Sequence, residues 1–84
     1  MSFDPGASVV GDAVHFHMHF VDGPGPAAVS VQALQQYFGA DATEETLLAA
    51  YRANYRSIHA VAQQRHANGA TRPVRVDAAD LGGG

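Results

Sequence analysis

Residues 13 to 21 alternate between apolar side chains and histidine, and this pattern constrains the fold more than any other part of the chain. The segment reads Ala-Val-His-Phe-His-Met-His-Phe-Val. Because successive side chains of a β-strand point to opposite faces, a period of two predicts a strand with one apolar face and one imidazole face. We expect the even-numbered residues from 14 to 20 to face a core, and the odd-numbered histidines to face solvent: His15, His17 and His19.

Shorter patterns on either side of this strand predict the rest of a small sheet. Gly11-Asp12 suits a two-residue hairpin turn, because Gly at the first central position accepts a positive φ, and a short edge strand precedes it. Residues 22–26 are predicted to be a turn, because Pro24 and Pro26 cannot donate ladder hydrogen bonds. A short returning strand is expected over residues 27–31. Residues 73–77 alternate again and predict the last strand.

Two helices are predicted between the third and the last strand. Ser30 is expected to cap the first helix, which ends at Phe38 before Gly39 in a left-handed conformation. Asp41 is expected to cap the second helix, which runs to about Ala67. Three- and four-residue spacing predicts a buried stripe comprising Leu47, Leu48, Tyr51, Tyr55, Ile58 and Ala62. The neighbouring stripe is expected to face water and comprises Arg52, Arg56, His59, Gln63 and His66.

A family resemblance rests on a strand with a Val-x-Phe core, a turn with Asp-Gly and the segment Val-Ser-Val-Gln-Ala-Leu-Gln-Gln-Tyr-Phe-Gly-Ala. A long helix with Tyr51, Ile58 and Ala62 follows, and then Arg-Pro-Val ahead of Ala-Asp-Leu. Over roughly residues 13 to 81 the chain resembles a small bacterial family of domains of unknown function, the one numbered fourteen eighty-eight. The resemblance implies a compact α+β domain with helices packed on an antiparallel sheet. It implies no catalytic residues, because the matching positions are core residues and caps.

Length and composition limit the chain to one small domain. Of its 84 residues 39 are apolar, but 16 of these are Ala, so the core is thin and a dimer or a partner surface would supplement its stability. We predict a single α+β domain over residues 1–81, followed by a disordered glycine tail at residues 82–84. The domain is a small antiparallel sheet in the order strand, strand, strand, helix, helix, strand, with both helices on one face.

Charge and cysteine content exclude several classes of function. The chain has no Cys, which excludes disulfides, thiolate metal sites and cysteine nucleophiles. All five basic residues are Arg and the net charge is −3 at pH 7, which disfavours nucleic-acid binding. The chain shows neither a basic segment followed by an apolar run at its start nor a stretch of about 18 apolar residues. We therefore expect a cytoplasmic protein that does not associate with membranes.

The three strand histidines are the candidate metal site. Alternate strand residues lie about 6 to 7 Å apart on one face, so two of these imidazoles can share one zinc ion. His15 and His19 are separated by about 13 Å, so a third ligand has to come from elsewhere, such as Asp77 or a neighbouring subunit. A pH-dependent interface is a second interpretation of the same residues. The simplest interpretation is a solvated polar face of the sheet.

Tyrosine and arginine side chains on the two helices form a candidate interaction surface. Tyrosine combines apolar area with a polar tip and is enriched at interfaces. The sequence contains no complete catalytic set, so we predict a non-enzymatic protein-interaction module, with another protein or with itself as a homodimer, and no cofactor other than zinc. A weak nucleic-acid binder, with Arg52 and Arg56 on phosphates, is a further alternative. The surface comprises Tyr37, Tyr55, Arg52 and Arg56.

Overall fold

The computed structural model describes residues 6–70 and 73–82, which fold into four strands and three helices. The predicted α+β class and the predicted order of elements are confirmed, and a short third helix follows the last strand. The elements are β1 (Ser8–Val10), β2 (Ala13–Phe20), β3 (Gly23–Ser30), α1 (Val31–Phe38), α2 (Glu44–Ala67), β4 (Val74–Val76) and α3 (Ala78–Gly82). Of the predicted glycine tail, Gly82 ends α3 and residues 83–84 lie outside the described residues.

The alternation along β2 gives the strand one buried and one exposed face, as predicted. Its even-numbered side chains are at most 5% exposed, whereas its three histidines are exposed. β1 pairs with β2 in antiparallel register across the predicted hairpin turn, in which Gly11 has a φ of 61°. The strand period therefore determines which side chains enter the core. The buried residues are Val14, Phe16, Met18 and Phe20.

The first half of β3 contradicts the predicted turn. Pro24 and Pro26 both lie in the strand and pair with β2, and the turn is confined to residues 21–22. β4 pairs only with residues 27–29, so this half of β3 is an outer edge of the described sheet. Two prolines spaced two residues apart direct their missing donors to the same side of the strand. Proline is tolerated where that side is an open edge.

The sheet has the strand order β1-β2-β3-β4 and is not wholly antiparallel. β4 runs parallel to β3, with Ala28 opposite Arg75. A parallel pair needs a crossover connection, which α1 and α2 supply between the two strands. The expectation of an antiparallel sheet was wrong for β4, because a short alternating segment carries no information about the direction of its neighbour.

Both long helices begin at hydroxyl caps. The hydroxyl of Ser30 accepts a hydrogen bond from a backbone N–H in the first turn of α1 at 3.1 Å, and Gly39 ends that helix with a φ of 69°. α2 is capped by Thr43 instead of the predicted Asp41. The hydroxyl of Thr46 accepts from the backbone N–H of Asp41 at 3.2 Å, so the loop before α2 is tied to its first turn.

One core lies between the helices and one face of the sheet. It joins the even-numbered residues of β2 to α1, α2 and β4, and its largest fully buried side chains are Tyr51, Phe16, Leu34, Ile58, Val14, Val29, Val74 and Val76. The opposite sheet face is called the open face below. Its exposed side chains are Ser8 and Val10 of β1, His15, His17 and His19 of β2, Pro24 and Pro26 of β3, and Arg75 of β4.

Candidate functional site

A kink divides α2 near its middle. Asn54 has a φ of −124° and a ψ of 18°, which are not helical values. Its side-chain amide donates a 2.9 Å hydrogen bond to the carbonyl of Ala50, the acceptor that the backbone N–H of Asn54 uses in a regular helix. Competition of this kind between side chain and backbone is a known cause of helix bending. The kink changes the direction in which the second half of α2 presents its side chains.

His59 is buried, although the helical period placed it on the face toward water. Its side chain is 4% exposed and stacks on Phe16, with ring centroids 5.2 Å apart. Tyr55 meets the same imidazole edge-on at 5.5 Å, and the hydroxyl of Tyr51 lies 2.9 Å from its Nε2. The expectation was wrong because the buried stripe is wider than predicted: His59 follows Tyr55 by four residues and precedes Ala62 by three, so it shares their helix face. We call these four rings, Phe16, Tyr51, Tyr55 and His59, the aromatic box.

The hydrogen bond between Tyr51 and His59 satisfies two polar groups in the interior. Tyr51 is fully buried and also stacks on Phe16 at a centroid distance of 4.7 Å. Buried polar groups need such partners, because an unmade hydrogen bond in the interior costs about 1–3 kcal/mol. Sequence reasoning missed this pair. Spacing was the available signal, because Tyr51, Tyr55 and His59 recur every four residues and therefore share one helix face.

A groove opens to solvent beside the aromatic box. It has a volume of about 370 Å³ and is lined by Arg56, His59, Ala60 and Gln63 of α2. The amide of Gln63 donates a 2.7 Å hydrogen bond to the carbonyl of His19, which ties α2 to the end of β2. The Oε1 of Gln63 is buried and has no hydrogen-bond partner among the described residues. We call this feature the α2 groove.

Arg56 stands at the groove with its guanidinium against the adjacent tyrosine. Its Nε donates to the hydroxyl of Tyr55 at 3.4 Å, and its guanidinium carbon lies 5.9 Å from the centre of that ring. Arg52, one helical turn earlier, is also exposed. The structure therefore brings three of the four predicted interaction residues together on α2. Tyr37 lies on α1 and is 43% exposed.

The groove lies in a segment without acidic residues. Residues 51–67 contain three Arg, two His and neither Asp nor Glu, on a chain whose net charge is −3. Arg65 bonds to Asp80 at 2.8 Å, and His66 lies 3.3 Å from Asp22. The charged side chains that this segment itself contributes near the groove are therefore all basic.

The strand histidines remain exposed on the open face. Across from them on β3 stand Ala28, Pro26 and Pro24, which offer no metal ligands. Within the described ranges 6–70 and 73–82, no group of three or more His, Cys, Asp or Glu side chains is placed to hold a metal ion. Asp77, the third ligand suggested by the sequence, accepts a 2.8 Å hydrogen bond from Arg75.

Arg75 joins β4 to the hairpin turn between β1 and β2. Its terminal nitrogens donate to both carboxylate oxygens of Asp12, at 3.0 and 3.4 Å. The hydrogen bond and the charge of Arg75 lower the pKa of the Asp12 carboxyl below its usual 3.8. Hydrogen bonds from Arg75 to Asp12 and Asp77 raise the pKa of the guanidinium in turn. These contacts crosslink the two outer strands of the sheet at one end.

Comparison with known proteins gives one finding. The sequence model of a family described as "Protein of unknown function (DUF1488)" matches residues 9–76, which is most of the chain. No curated protein and no solved structure shows a significant match. Among the helices of the described residues, none has the length and apolar character needed to cross a membrane.

Proposed function

Because this chain belongs to the DUF1488 family of proteins of unknown function, we propose its function from the geometry of α2. It is a non-enzymatic protein-interaction domain, and its α2 groove accepts an apolar side chain from an acidic segment of a partner protein. The observation that carries the proposal is the position of the groove beside Arg56, in a helix segment that has no acidic residue.

The size and the lining of the groove favour a side chain as its occupant. Its volume of about 370 Å³ is near the lower end of the 300–1,000 Å³ that is usual for small-molecule pockets. The short side chain of Ala60 leaves room for an inserted group, and the buried ring of His59 lies at the base. The ring of His59 and the guanidinium of Arg56 in its lining suit the central contact of an interface, where aromatic residues and Arg carry most of the binding energy.

Charge defines the partner. Arg56 uses its Nε in the hydrogen bond to Tyr55. Its two terminal nitrogens are the groups that would bind a carboxylate of the partner in bidentate fashion. Arg52 adds a second exposed cation one turn away. Complementary charge steers the encounter and selects the partner more than it raises affinity. An acidic segment with one apolar residue meets both requirements.

The lining of the groove supports binding over catalysis. Its described side chains are a guanidinium, an imidazole, a methyl group and an amide. None of these four carries a carboxylate, hydroxyl or thiol. The lining therefore lacks a nucleophile next to a general base, the combination that covalent catalysis requires. His59 instead uses its Nε2 on the buried hydroxyl of Tyr51.

Peptide selection with matched variants tests the proposal. A random peptide library is selected against the intact protein, and affinities of the enriched peptides are measured for Ala60→Arg and Ala53→Arg. Both positions are exposed on α2, but only Ala60 lines the groove. We expect enriched peptides with an apolar residue among acidic ones, a loss of at least about tenfold in affinity in Ala60→Arg, and unchanged affinity in Ala53→Arg.

Two outcomes would overturn the proposal. Enriched peptides without acidic residues, or equal binding to both variants, would remove the groove from the interaction. Single-stranded oligonucleotides are measured in parallel against the same variants. Binding to them that falls steeply with salt and disappears in Arg56→Gln would assign the face to nucleic acid instead.

A further inference from the structure

We propose that the α2 groove of one copy of this chain binds a second copy, which inserts Tyr37 into the groove and places Glu45 beside Arg56. This inference names the partner of the proposed function and rests on that function. The groove lies beside Arg56 and suits an apolar side chain with a carboxylate nearby. The chain carries both in one segment. Tyr37, near the end of α1, is 43% exposed, and the acidic residues that follow it are exposed as well: Asp41, Glu44 and Glu45.

The acidic neighbours of the exposed apolar side chains single out Tyr37. Among the described residues the large exposed apolar side chains are Val10, Val21 and Tyr37. Val10 is two residues from Asp12 and Val21 adjoins Asp22, and each of these carboxylates has a basic partner within its own copy. The three acidic residues after Tyr37 form no ion pair with any part of the chain that the structure describes. Their carboxylates can therefore pair with a cation of another molecule.

A single copy cannot bring its own Glu45 to its own groove. Glu45 and Arg56 are eleven residues apart on α2, which corresponds to about 16 Å along the helix axis at about 1.5 Å per residue. A guanidinium and a carboxylate pair at about 2.7–2.9 Å. The contact between these two side chains therefore requires a second molecule.

The exposed side of α2 is complementary in charge to itself. Eleven residues make about three turns of 3.6 residues, so Glu45 and Arg56 lie along one side of the helix, and both are exposed. A two-fold axis midway between them sets two α2 helices antiparallel, with Glu45 of each copy opposite Arg56 of the other. Arg52 lies one turn from Arg56 and adds positive charge near the same carboxylate. The short side chain of Ala49 near the axis allows the usual helix spacing of about 8–10 Å.

The same antiparallel pairing brings the end of α1 to the groove. With Glu45 opposite Arg56, the groove segment 56–63 lies opposite residues 38–45 of the other copy. The loop before α2 follows the first turn of that helix, because the backbone N–H of Asp41 is bonded to a side chain there. Tyr37 immediately precedes this segment. Its ring enters the groove of about 370 Å³, beside His59, and buries about 150–250 Å² of surface.

Sedimentation velocity of the intact protein tests the proposal, at concentrations from about 1 μM to about 1 mM, which cover weak interfaces. We expect a monomer–dimer equilibrium. Tyr37→Ser, Arg56→Glu and Glu45→Arg should each weaken dimerisation by at least about tenfold. Val21→Ser, which also removes an exposed apolar side chain beside an acidic residue, should leave it unchanged. An equimolar mixture of Arg56→Glu and Glu45→Arg should dimerise again, because one contact is then native and the other has both charges reversed.

Three results would overturn this dimer: a protein that stays monomeric over the whole range, equal weakening by Val21→Ser and Tyr37→Ser, or a mixture of the two charge variants that does not associate. Circular dichroism checks that every variant is folded. Binding of the selected acidic peptides is also measured in Tyr37→Ser, which keeps the groove. Peptide binding there that Ala60→Arg abolishes would support the proposed function even where the mass excludes the dimer, so the two proposals fail separately.

Discussion

Histidines lie at both faces of the sheet, exposed on β2 at one face and buried on the α2 helix that packs against the other. On the open face the three histidines of β2 stand exposed opposite prolines and an alanine. On the covered face His59 is enclosed by three aromatic rings and bonded to a tyrosine hydroxyl. The residue type is the same, but the consequences for stability are expected to differ widely.

The difference shows that the local sequence period is enough to predict burial on a strand, whereas burial on a helix also depends on tertiary packing. A strand has only two faces, so parity alone assigns each histidine of β2. A helix has a continuous circumference, and a local change in its path rotates every later residue. His59 lies at the border of the buried stripe, four residues after Tyr55, and its packing on Phe16 and Tyr55 decides that it is buried.

The largest contrast is expected between His59→Ala and His17→Ala. Truncating His59 leaves a cavity in the aromatic box and removes the partner of Tyr51, so the free energy of unfolding should fall by about 2–4 kcal/mol. His17→Ala should change it by less than about 0.5 kcal/mol, as is usual for exposed positions. Urea denaturation of both variants measures the contrast, and equal effects would contradict the difference between the faces.

A smaller effect is expected from Tyr51→Phe. This change keeps the stacking on Phe16 but removes the hydroxyl that bonds to His59. A buried imidazole nitrogen loses its partner, which should cost about 1–2 kcal/mol. Thermal and urea unfolding give the value. Tyr37→Phe, at an exposed position, is the matched control and should be neutral.

Asn54→Ala tests the origin of the contrast. Removing the side-chain bond to Ala50 allows a regular helix, and the better helix propensity of Ala offsets the lost contact, so stability should change by less than about 1 kcal/mol. His59 should stay as protected from an imidazole-modifying reagent as in the wild type, because Phe16 and Tyr55 enclose it and it keeps the helix face of Tyr55. Faster modification in the variant would instead make the kink the cause of its burial.

The smallest effect concerns the ion pair between Arg75 and Asp12 at the open face. Because Arg75 lowers the pKa of Asp12 below 3.8, the unfolded chain binds this proton more readily than the folded chain. The stabilisation that this ion pair gives to the folded chain is present above pH 3.8 and is lost as the pH falls through the lowered pKa of Asp12. Asp12→Asn should therefore be slightly less stable than the wild type at neutral pH, and the difference should disappear in acid. Urea midpoints across pH measure it, and a constant difference would contradict the linkage.

Much of the fold was predictable because its signals are local. The alternation of β2, the Gly11 hairpin, the Ser30 cap and the Gly39 end of α1 each depend on a few neighbouring residues. The path of β3 was not predictable in the same way. Pro24 and Pro26 break a strand in most contexts, and only the short reach of β4 makes their side of β3 an edge.

The candidate site was predicted only in its composition. Tyr55, Arg52 and Arg56 were recognised as a surface, but the groove beside them requires His59 to leave that surface. The sequence offers Asn54 as a hint of the kink, yet it does not state which way the helix bends. The direction of the bend depends on what the second half of α2 packs against.

By itself the sequence determined the class of fold, the order of elements, most helix ends and the parity of β2. These follow from backbone geometry and from hydrogen bonds between near neighbours, which act over a few residues. The tertiary structure alone decided the parallel direction of β4, the continuation of β3 through two prolines, and the burial of His59. Each of these depends on contacts between residues far apart in the chain, whose energies no local pattern encodes.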